Sequence, residues 1–248
     1  MIAVISPAKT LDYATPLPAM ATTAPRFAEE AATLAKAAAR MSRRKLGELM
    51  HISDKLAALN AGRFRSFETL PERPAIRAFA GDVYTGLEAA TLDEAAIDFA
   101  QDHLRMLSGL YGLLRPLDRM RPYRLEMGTR WAPRRRKLTD WWGKRIADAL
   151  AGDIAAEGSG VLLNLASQEY WAAVDGLLPG NIRIIDVDFR EADDRFISFH
   201  AKKARGMMAR WLVEHRIADA DAMRGFDSDG YAFDSAASDG DSWTFRRR

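Results

Sequence analysis

The 248-residue chain has a net charge of +2, with 48% hydrophobic and 28% charged residues, which is typical of a globular rather than a disordered protein. It contains no cysteine, and this excludes disulfides, thiol peroxidase chemistry, cysteine-bound zinc and iron–sulfur clusters. No apolar run approaches the ~20 residues that cross a bilayer, and the apolar run at residues 2–5 is too short for a signal peptide. We therefore expect a cytoplasmic protein.

Hydrophobic periodicity, caps and helix breakers predict the elements of the first half. Residues 2–5 are expected to form a buried strand that Pro7 ends. The next expected elements are helices over 25–40, from Ser42 to about 50, from Ser53 to about 61, and after the cap Asp93. Residues 104–129 contain three glycines and two prolines, so turns and short strands are expected there.

The second half alternates more regularly between strands and helices. Helices are expected over 139–150, after Ser167, and over 201–215. Strands are expected over 161–166 and 182–189, over 195–199 after a hairpin turn, and over 242–246 at an edge. No repeat or break in composition marks a boundary. The sequence therefore predicts one α/β domain over 1–248, in which helices flank a mixed sheet.

Basic residues are concentrated in three segments. Residues 40–65 hold seven basic and two acidic side chains. Residues 105–145 hold twelve basic and three acidic ones, and residues 202–216 hold five basic and one acidic. The segments between them are acidic. The three basic segments either converge into one positive groove or form three separate solvated faces, and counting charges does not distinguish these alternatives.

The segment 104–129 places arginines among glycines and prolines that fix turns. Arg105, Arg115 and Arg124 are candidates for contacts with phosphates of a nucleic acid. The same segment can instead form the wall of a small-molecule pocket, with Tyr123 and Glu126 as pocket residues. If Glu126 is buried it can act as a base, but a structural carboxylate paired with arginine is the favoured interpretation.

The residues 46–57 have the outline of a helix-hairpin-helix. In that motif the N–H groups of a tight junction, together with the positive end of the second helix, bind a phosphate. Ile52 would fill the junction, Ser53 would cap the second helix and Lys55 would lie near the phosphate. His51 and Ser53 occupy positions that typically hold glycine, so the pattern also matches an ordinary helical corner.

The helix expected over 201–215 begins with a cluster of cations. Lys202, Lys203 and Arg205 lie in its first turns, where the helix dipole disfavours positive charge. An anionic ligand would compensate this arrangement. We therefore interpret the three side chains as phosphate contacts rather than as a solvated face.

Polar residues also follow two of the predicted buried strands. Ser6 and Lys9 come after the first strand, and Asn164 and Ser167 lie at the end of the strand over 161–166. Loops at strand ends commonly bind ligands, and Lys9 is a candidate phosphate contact there. For Ser167 the alternative is simple capping of the following helix. The four histidines show no metal-binding spacing, and we expect neither a metal nor a cofactor.

Seven segments along the chain form a recognisable set: ISPAKTLDY (5–13), LMHISDKLAALNAGRF (49–64), FAGDVYTGL (79–87), HLRMLSGLYGLLRPLDRMRPYRLEMGT (103–129), NLASQEYW (164–171), ISFHAKKARGMMARW (197–211) and GFDSDGYAF (225–233). With these segments the chain resembles the YaaA family of bacterial peroxide-stress-resistance proteins. The resemblance implies an unusual mixed α/β fold with an embedded helix-hairpin-helix at about 42–62 and a positively charged cleft. It also implies DNA binding and a role in lowering unincorporated iron.

Two functions follow from these observations. The first is a non-enzymatic protein, expected to be a monomer, that binds double-stranded or branched DNA largely independently of sequence. The second is an enzyme that acts on a small phosphorylated or nucleotide-like ligand in the same basic cleft. The sequence assigns no catalytic residue.

Overall fold

A seven-stranded mixed sheet lies at the centre of the protein, whose computed structural model describes residues 1–248. The strands in chain order are β1 (Ile2–Ile5), β2 (Thr10–Leu11), β3 (Arg73–Pro74), β4 (Phe79–Ala80), β5 (Leu104–Ser108), β6 (Gly112–Leu114), β7 (Arg119–Met120), β8 (Val161–Leu165), β9 (Arg183–Arg190), β10 (Tyr231–Phe233) and β11 (Ser242–Arg247). The pairs β2–β4 and β3–β7 form two small ribbons outside the main sheet.

Helices and short 3-10 turns connect the strands. The helices in chain order are α1 (Ala28–Ala39), α2 (Arg43–Met50), α3 (Asp54–Arg65), α4 (Ala75–Ala78), α5 (Asp82–Leu87), α6 (Glu94–His103), α7 (Leu138–Trp142), α8 (Arg145–Glu157), α9 (Gln168–Trp171) and α10 (Ser198–Glu214). None of them combines the length and the apolar character that a membrane span requires.

The strand order of the main sheet is β10-β11-β9-β8-β1-β5-β6. The five inner strands are parallel, and β10 and β6 are antiparallel to their neighbours at the two edges. From β1 the chain continues to β5 on one side, whereas from β8 it continues through β9 and β11 on the other. The order therefore reverses between β1 and β8. In open α/β sheets, ligands bind outside the carboxyl ends of the strands at this kind of position.

Helices pack on the sheet, and one row of side chains across it identifies the face that α8 covers. Arg105 of β5, Val4 of β1, Asn164 of β8 and Asp186 of β9 are paired in register, so their side chains point to the same face. On this face α8 reaches Arg105 through Asp153. The helix α10 packs against α5 and α6 and contacts β1 and β9.

The α/β class and most of the predicted elements are confirmed. Ser42, Ser53 and Asp93 cap α2, α3 and α6, and each side chain accepts a hydrogen bond from a backbone N–H of the first turn. The segment 104–129 contains the short strands β5, β6 and β7 between turns. Local cues therefore located these elements correctly.

Three predicted elements were wrong in detail. The helix expected over 139–150 is two helices, because Gly143 adopts a φ of +53° between them, and the second helix continues past residue 150 until Gly158 ends it. No strand follows the turn at 192–194, because α10 already begins at Ser198. The strand β11 is not at an edge, since β10 pairs on its outer side.

Candidate functional site

An open cleft of about 1390 Å³ lies at the carboxyl ends of β1 and β8. It is lined by residues from five segments, within 6–10, 80–83, 164–175, 186–205 and 242–244. Its position is the reversal point of the strand order. The cleft therefore lies where an α/β sheet of this kind typically binds a ligand.

Two serines meet at the base of the cleft. Ser6 follows β1, and its Oγ donates to Ser167 Oγ at 3.2 Å and accepts the Ser167 N–H at 2.8 Å. The hydroxyl of Tyr84 donates to the Ser6 carbonyl at 3.2 Å. Ser167 is the N-cap residue of α9, but its side chain makes no capping hydrogen bond. The two serine side chains therefore connect the ends of β1 and β8 instead of serving α9.

Asn164 holds a carboxylate in the cleft. Its Oδ1 accepts the Ala166 N–H at 3.0 Å, and its Nδ2 donates to Asp186 Oδ1 at 2.7 Å. The amide is therefore fixed at both ends. Asp186 is exposed in the cleft, and it offers an oriented acceptor to a hydroxyl or amino group.

Arg205 is the unusual cation of the cleft. Lys9, Arg190 and Lys202 each have a carboxylate within 4.0 Å. Arg205 has none, and its buried Nε has no hydrogen-bond partner. Burial lowers the pKa of Arg205, and the charge of Asp188 opposes this shift only in part. A guanidinium nitrogen that has lost water without gaining a partner is costly, so this group favours an anionic ligand.

The lining as a whole is nearly balanced in charge. It contains four basic residues (Lys9, Arg190, Lys202, Arg205) and five acidic ones (Asp82, Glu169, Asp175, Asp186, Asp188). A surface that binds a polyanion is enriched in positive charge. This cleft is therefore polar but not basic, unlike the positively charged cleft expected from the resemblance.

The arginines of the segment 104–129 are bound to carboxylates instead of lining the cleft. Arg105 is buried, and its Nε donates to Asp153 Oδ2 at 2.7 Å. Arg115 donates through Nη2 to Asp118 at 3.0 Å, and Arg124 through Nε to Glu126 at 2.9 Å. These pairs hold the segment in place, and none of the three arginines is among the cleft residues.

Tyr123 and Glu126, the expected pocket residues of the same segment, also lie outside the cleft lining. Tyr123 is buried, its hydroxyl lies 2.6 Å from Ser108 Oγ, and burial raises its pKa. Glu126 binds Arg124 and lies 3.7 Å from Lys9 Nζ, while its second oxygen is buried without a partner. Glu126 is thus the arginine-paired carboxylate favoured by the sequence, and it positions Lys9 at the cleft.

The corner between α2 and α3 presents cations to solvent. His51 adopts the left-handed conformation with a φ of +50°, and Ser53 begins α3 in an extended conformation. Ile52 is half-buried at the junction, and Lys55 is exposed one turn further on. An ideal Cβ added to Gly47 would lie 3.4 Å from the Ala57 Cβ, so the two helices pack closely. Whether this corner binds phosphate stays a prediction.

The basic segments do not all converge on one surface. Lys9, Lys202 and Arg205 line the cleft, whereas Lys55 and Lys203 do not. Lys203 points elsewhere, with its Nζ 3.7 Å from Asp229. The structure therefore separates the cleft from the corner between α2 and α3.

Several cleft residues were missed by the sequence analysis. Asp186 and Asp188 alternate with buried Val187 and Phe189 on β9. This alternation shows that one face of the strand is polar, which is unusual for an inner strand of a parallel sheet and is a signal that the sequence carries. Phe196, which is 50% exposed at the cleft, had no such signal.

No group of three or more His, Asp or Glu side chains in the chain is arranged to hold a metal ion. The candidate site therefore offers hydroxyl, amide, carboxylate and guanidinium groups to a ligand. These groups bind and orient polar molecules through hydrogen bonds and ion pairs.

The fold and the cleft define an α/β protein with a polar crevice at the reversal point of its sheet. Within this class the chain belongs to the family described as peroxide stress protein YaaA, which matches residues 1–237. The family gives the protein a role in peroxide stress.

Similar proteins match along almost the whole chain. The UPF0246 protein of Rhizorhabdus wittichii is 62% identical over 249 residues, which cover 99% of this chain and 98% of the relative. The UPF0246 protein of Ralstonia nicotianae is 48% identical over 255 residues, which cover 100% of this chain and 99% of the relative. The UPF0246 protein of Aliivibrio fischeri is 46% identical over 254 residues, which cover 100% of this chain and 98% of the relative.

Proposed function

We propose that this peroxide stress protein acts in the cytoplasm as a monomer that binds double-stranded or branched DNA, largely independently of sequence. The corner between α2 and α3 is the proposed contact. The observation that carries the proposal is the exposure of several cations on the two helices that meet at this tight junction. Lys55 lies in the first turn of α3, Lys45 lies near the start of α2, and Arg40 and Arg65 lie before α2 and at the end of α3; all four are exposed.

Two features of the corner support phosphate binding. The only exposed ion pairs within α2 and α3 are Arg43–Asp54 at 3.5 Å and Arg44–Glu48 at 3.5 Å, so Lys45 and Lys55 keep free ammonium groups. The start of α3 adds backbone N–H groups and the positive end of the helix dipole. Phosphates of a DNA backbone are the anions that this combination suits.

A salt titration of binding to duplex and four-way-junction DNA tests the proposal. Affinity is expected to fall steeply between about 50 and 200 mM salt, because bound phosphates release counterions. Lys55→Glu is expected to weaken binding to all sequences alike and to flatten the salt dependence. Arg216→Glu makes the same charge change at an exposed site beyond α10 and serves as the control. Affinity that does not change with salt, or equal losses in the two variants, would contradict DNA binding at the corner.

The proposed link to iron runs through DNA binding, not through iron storage by the protein. The carboxylates and histidines of the chain form no metal-binding group, and iron titration of the purified protein is expected to show no stoichiometric tight site. In cells that lack the protein, wild type and Lys55→Glu would be compared for unincorporated iron and DNA damage after peroxide treatment. If Lys55→Glu lowers iron as well as wild type does, DNA binding is not the route to iron control.

A further inference from the structure

The cleft at the carboxyl ends of β1 and β8 has features that DNA binding at the corner does not use. Its lining is nearly neutral, so it is poorly suited to the uniform negative charge of a duplex. Its volume of about 1390 Å³ is larger than a single amino acid requires. A ligand of this cleft therefore has to combine an anionic group with neutral polar and apolar parts.

The anionic part of such a ligand has an unsatisfied partner on the protein. Arg205 has no ion pair, and its Nε is removed from water without a hydrogen bond. Lys202, one turn before it on α10, is half exposed with only a distant partner, Asp82, at 4.0 Å. Two cations on adjacent turns of one helix are available to one phosphate or carboxylate.

The polar neutral part has acceptors in a fixed orientation. Asn164 holds Asp186 Oδ1 at 2.7 Å and leaves the second carboxylate oxygen of this exposed residue free. Carboxylates placed in this way bind the hydroxyl groups of sugars and the amino groups of bases. Arginine alone would accept any small anion, so Asp186 adds selectivity for a ligand that also carries donors.

The apolar part has an exposed aromatic ring. Phe196 is 50% exposed at the cleft, and the Arg190 guanidinium lies 5.7 Å from its ring centroid on one side. Trp171 of α9 also lines the cleft. A large aromatic side chain left open to solvent within a cleft can stack on a planar ring of a ligand.

We propose that the cleft binds a nucleotide-like small molecule, with its anionic group at Arg205 and Lys202, its hydroxyl or amino groups at Asp186, and its planar ring against Phe196. This site is separate from the proposed DNA contact, since Lys55 is not among the cleft residues. The free mononucleotide and a nucleotide within a single strand share the same chemistry, and the test distinguishes them.

The test is isothermal titration calorimetry of the full chain with AMP, GMP, CMP and UMP, with their nucleosides, and with a single-stranded oligonucleotide. At least one monophosphate is expected to bind, and to bind more tightly than its nucleoside. Arg205→Met is expected to weaken this binding ~10-fold or more, because it removes a charged hydrogen-bond donor. Lys203→Met is the matched control, since Lys203 lies on the same helix, faces Asp229 and does not line the cleft.

Asp186→Asn is a second variant that nearly preserves side-chain shape and keeps the proposal testable if Arg205→Met does not fold. It is expected to weaken the monophosphate but not inorganic phosphate. The proposal is overturned if no mononucleotide binds, if only the oligonucleotide binds, or if Arg205→Met and Lys203→Met bind as wild type does. None of these results depends on Lys55, so failure here is distinct from failure of DNA binding.

Discussion

Gly206 of α10 lies so close to Val83 of α5 that an ideal Cβ added at Gly206 would stand 1.8 Å from the Val83 carbonyl oxygen. The contact is reciprocal, because a Cβ at Gly86 would stand 2.0 Å from the Lys203 carbonyl oxygen. Two helix backbones therefore touch directly where α5 and α10 cross. Only glycine permits this approach.

Gly206→Ala is expected to destabilise the protein by ~1–3 kcal/mol, because the methyl group meets backbone that has to shift. Gly152→Ala is the matched control within a helix, since Gly152 is exposed on α8 and an added Cβ meets nothing within 4 Å. That variant is expected to gain ~0.5–1 kcal/mol from helix propensity. Urea unfolding of both variants provides the measurement, and equal stability of the two would refute close packing of α5 on α10.

The buried pair between Arg105 and Asp153 predicts a large effect of a conservative substitution. The side chains are 7% and 13% exposed, so Asp153→Asn leaves a buried guanidinium without its counter-charge. The expected loss is ~3–5 kcal/mol. Glu48→Gln breaks the exposed pair with Arg44 and is expected to cost at most ~1 kcal/mol. Equilibrium unfolding compares the two, and a small loss for Asp153→Asn would show that Arg105 finds another partner.

The same pair predicts how stability depends on acid. Burial alone would raise the pKa of Asp153, but hydrogen bonds from Arg26 and Arg105 outweigh it and hold the pKa below the ordinary value of 3.8. The stability that ionised Asp153 adds to the folded state is therefore complete at pH values above 3.8. It is lost as the pH falls through the lower pKa that Asp153 has in the folded state. Wild type should lose stability below about pH 4 more steeply than Asp153→Asn. Parallel acid slopes in thermal unfolding would contradict this linkage.

The two serine caps of the corner separate stability from DNA binding. Ser42 Oγ accepts from Lys45 N at 3.2 Å, and Ser53 Oγ accepts from Leu56 N at 3.4 Å. Replacing either serine by alanine is expected to cost ~1 kcal/mol of folding stability. Only Ser53→Ala alters the junction, so only this variant should also weaken binding to duplex DNA. Equal DNA affinities of the two variants would argue against the start of α3 as a phosphate contact.

Local cues were sufficient for much of the fold and for part of the candidate site. Caps such as Asp93 act on the residues next to them, so the sequence reveals them directly. Ser6 and Ser167 were identified because each follows a buried apolar run. What the sequence did not reveal is that their hydroxyl groups meet at 3.2 Å, since this follows from the pairing of β1 with β8.

Counting charges failed for a definite reason. The arginines of the segment 104–129 lie in a basic stretch, but Arg115 and Arg124 pair with carboxylates of the same segment, and the others pair with carboxylates of acidic stretches elsewhere in the chain. Arg105 binds Asp153, and Arg121 binds Glu72 at 2.8 Å. Charges that are separated along the chain neutralise one another in the fold, so a basic segment is not in itself a basic surface. Asp186 was missed for a different reason, because the sequence shows only a polar strand face, and the pairing of β9 with β8 brings this residue to the site.

The close contact between α5 and α10 at Gly86 and Gly206 also fixes the geometry of the cleft. Asp82 begins α5, Lys202 and Arg205 lie on α10, and all three line the cleft. Because the two helices are held by touching backbones, the spacing of these side chains is set by the main chain rather than by side-chain packing. A substitution in the lining is therefore expected to change the polar groups that the cleft presents while the frame keeps its dimensions. In chains that keep both glycines we expect a crevice of the same width, whatever residues line it.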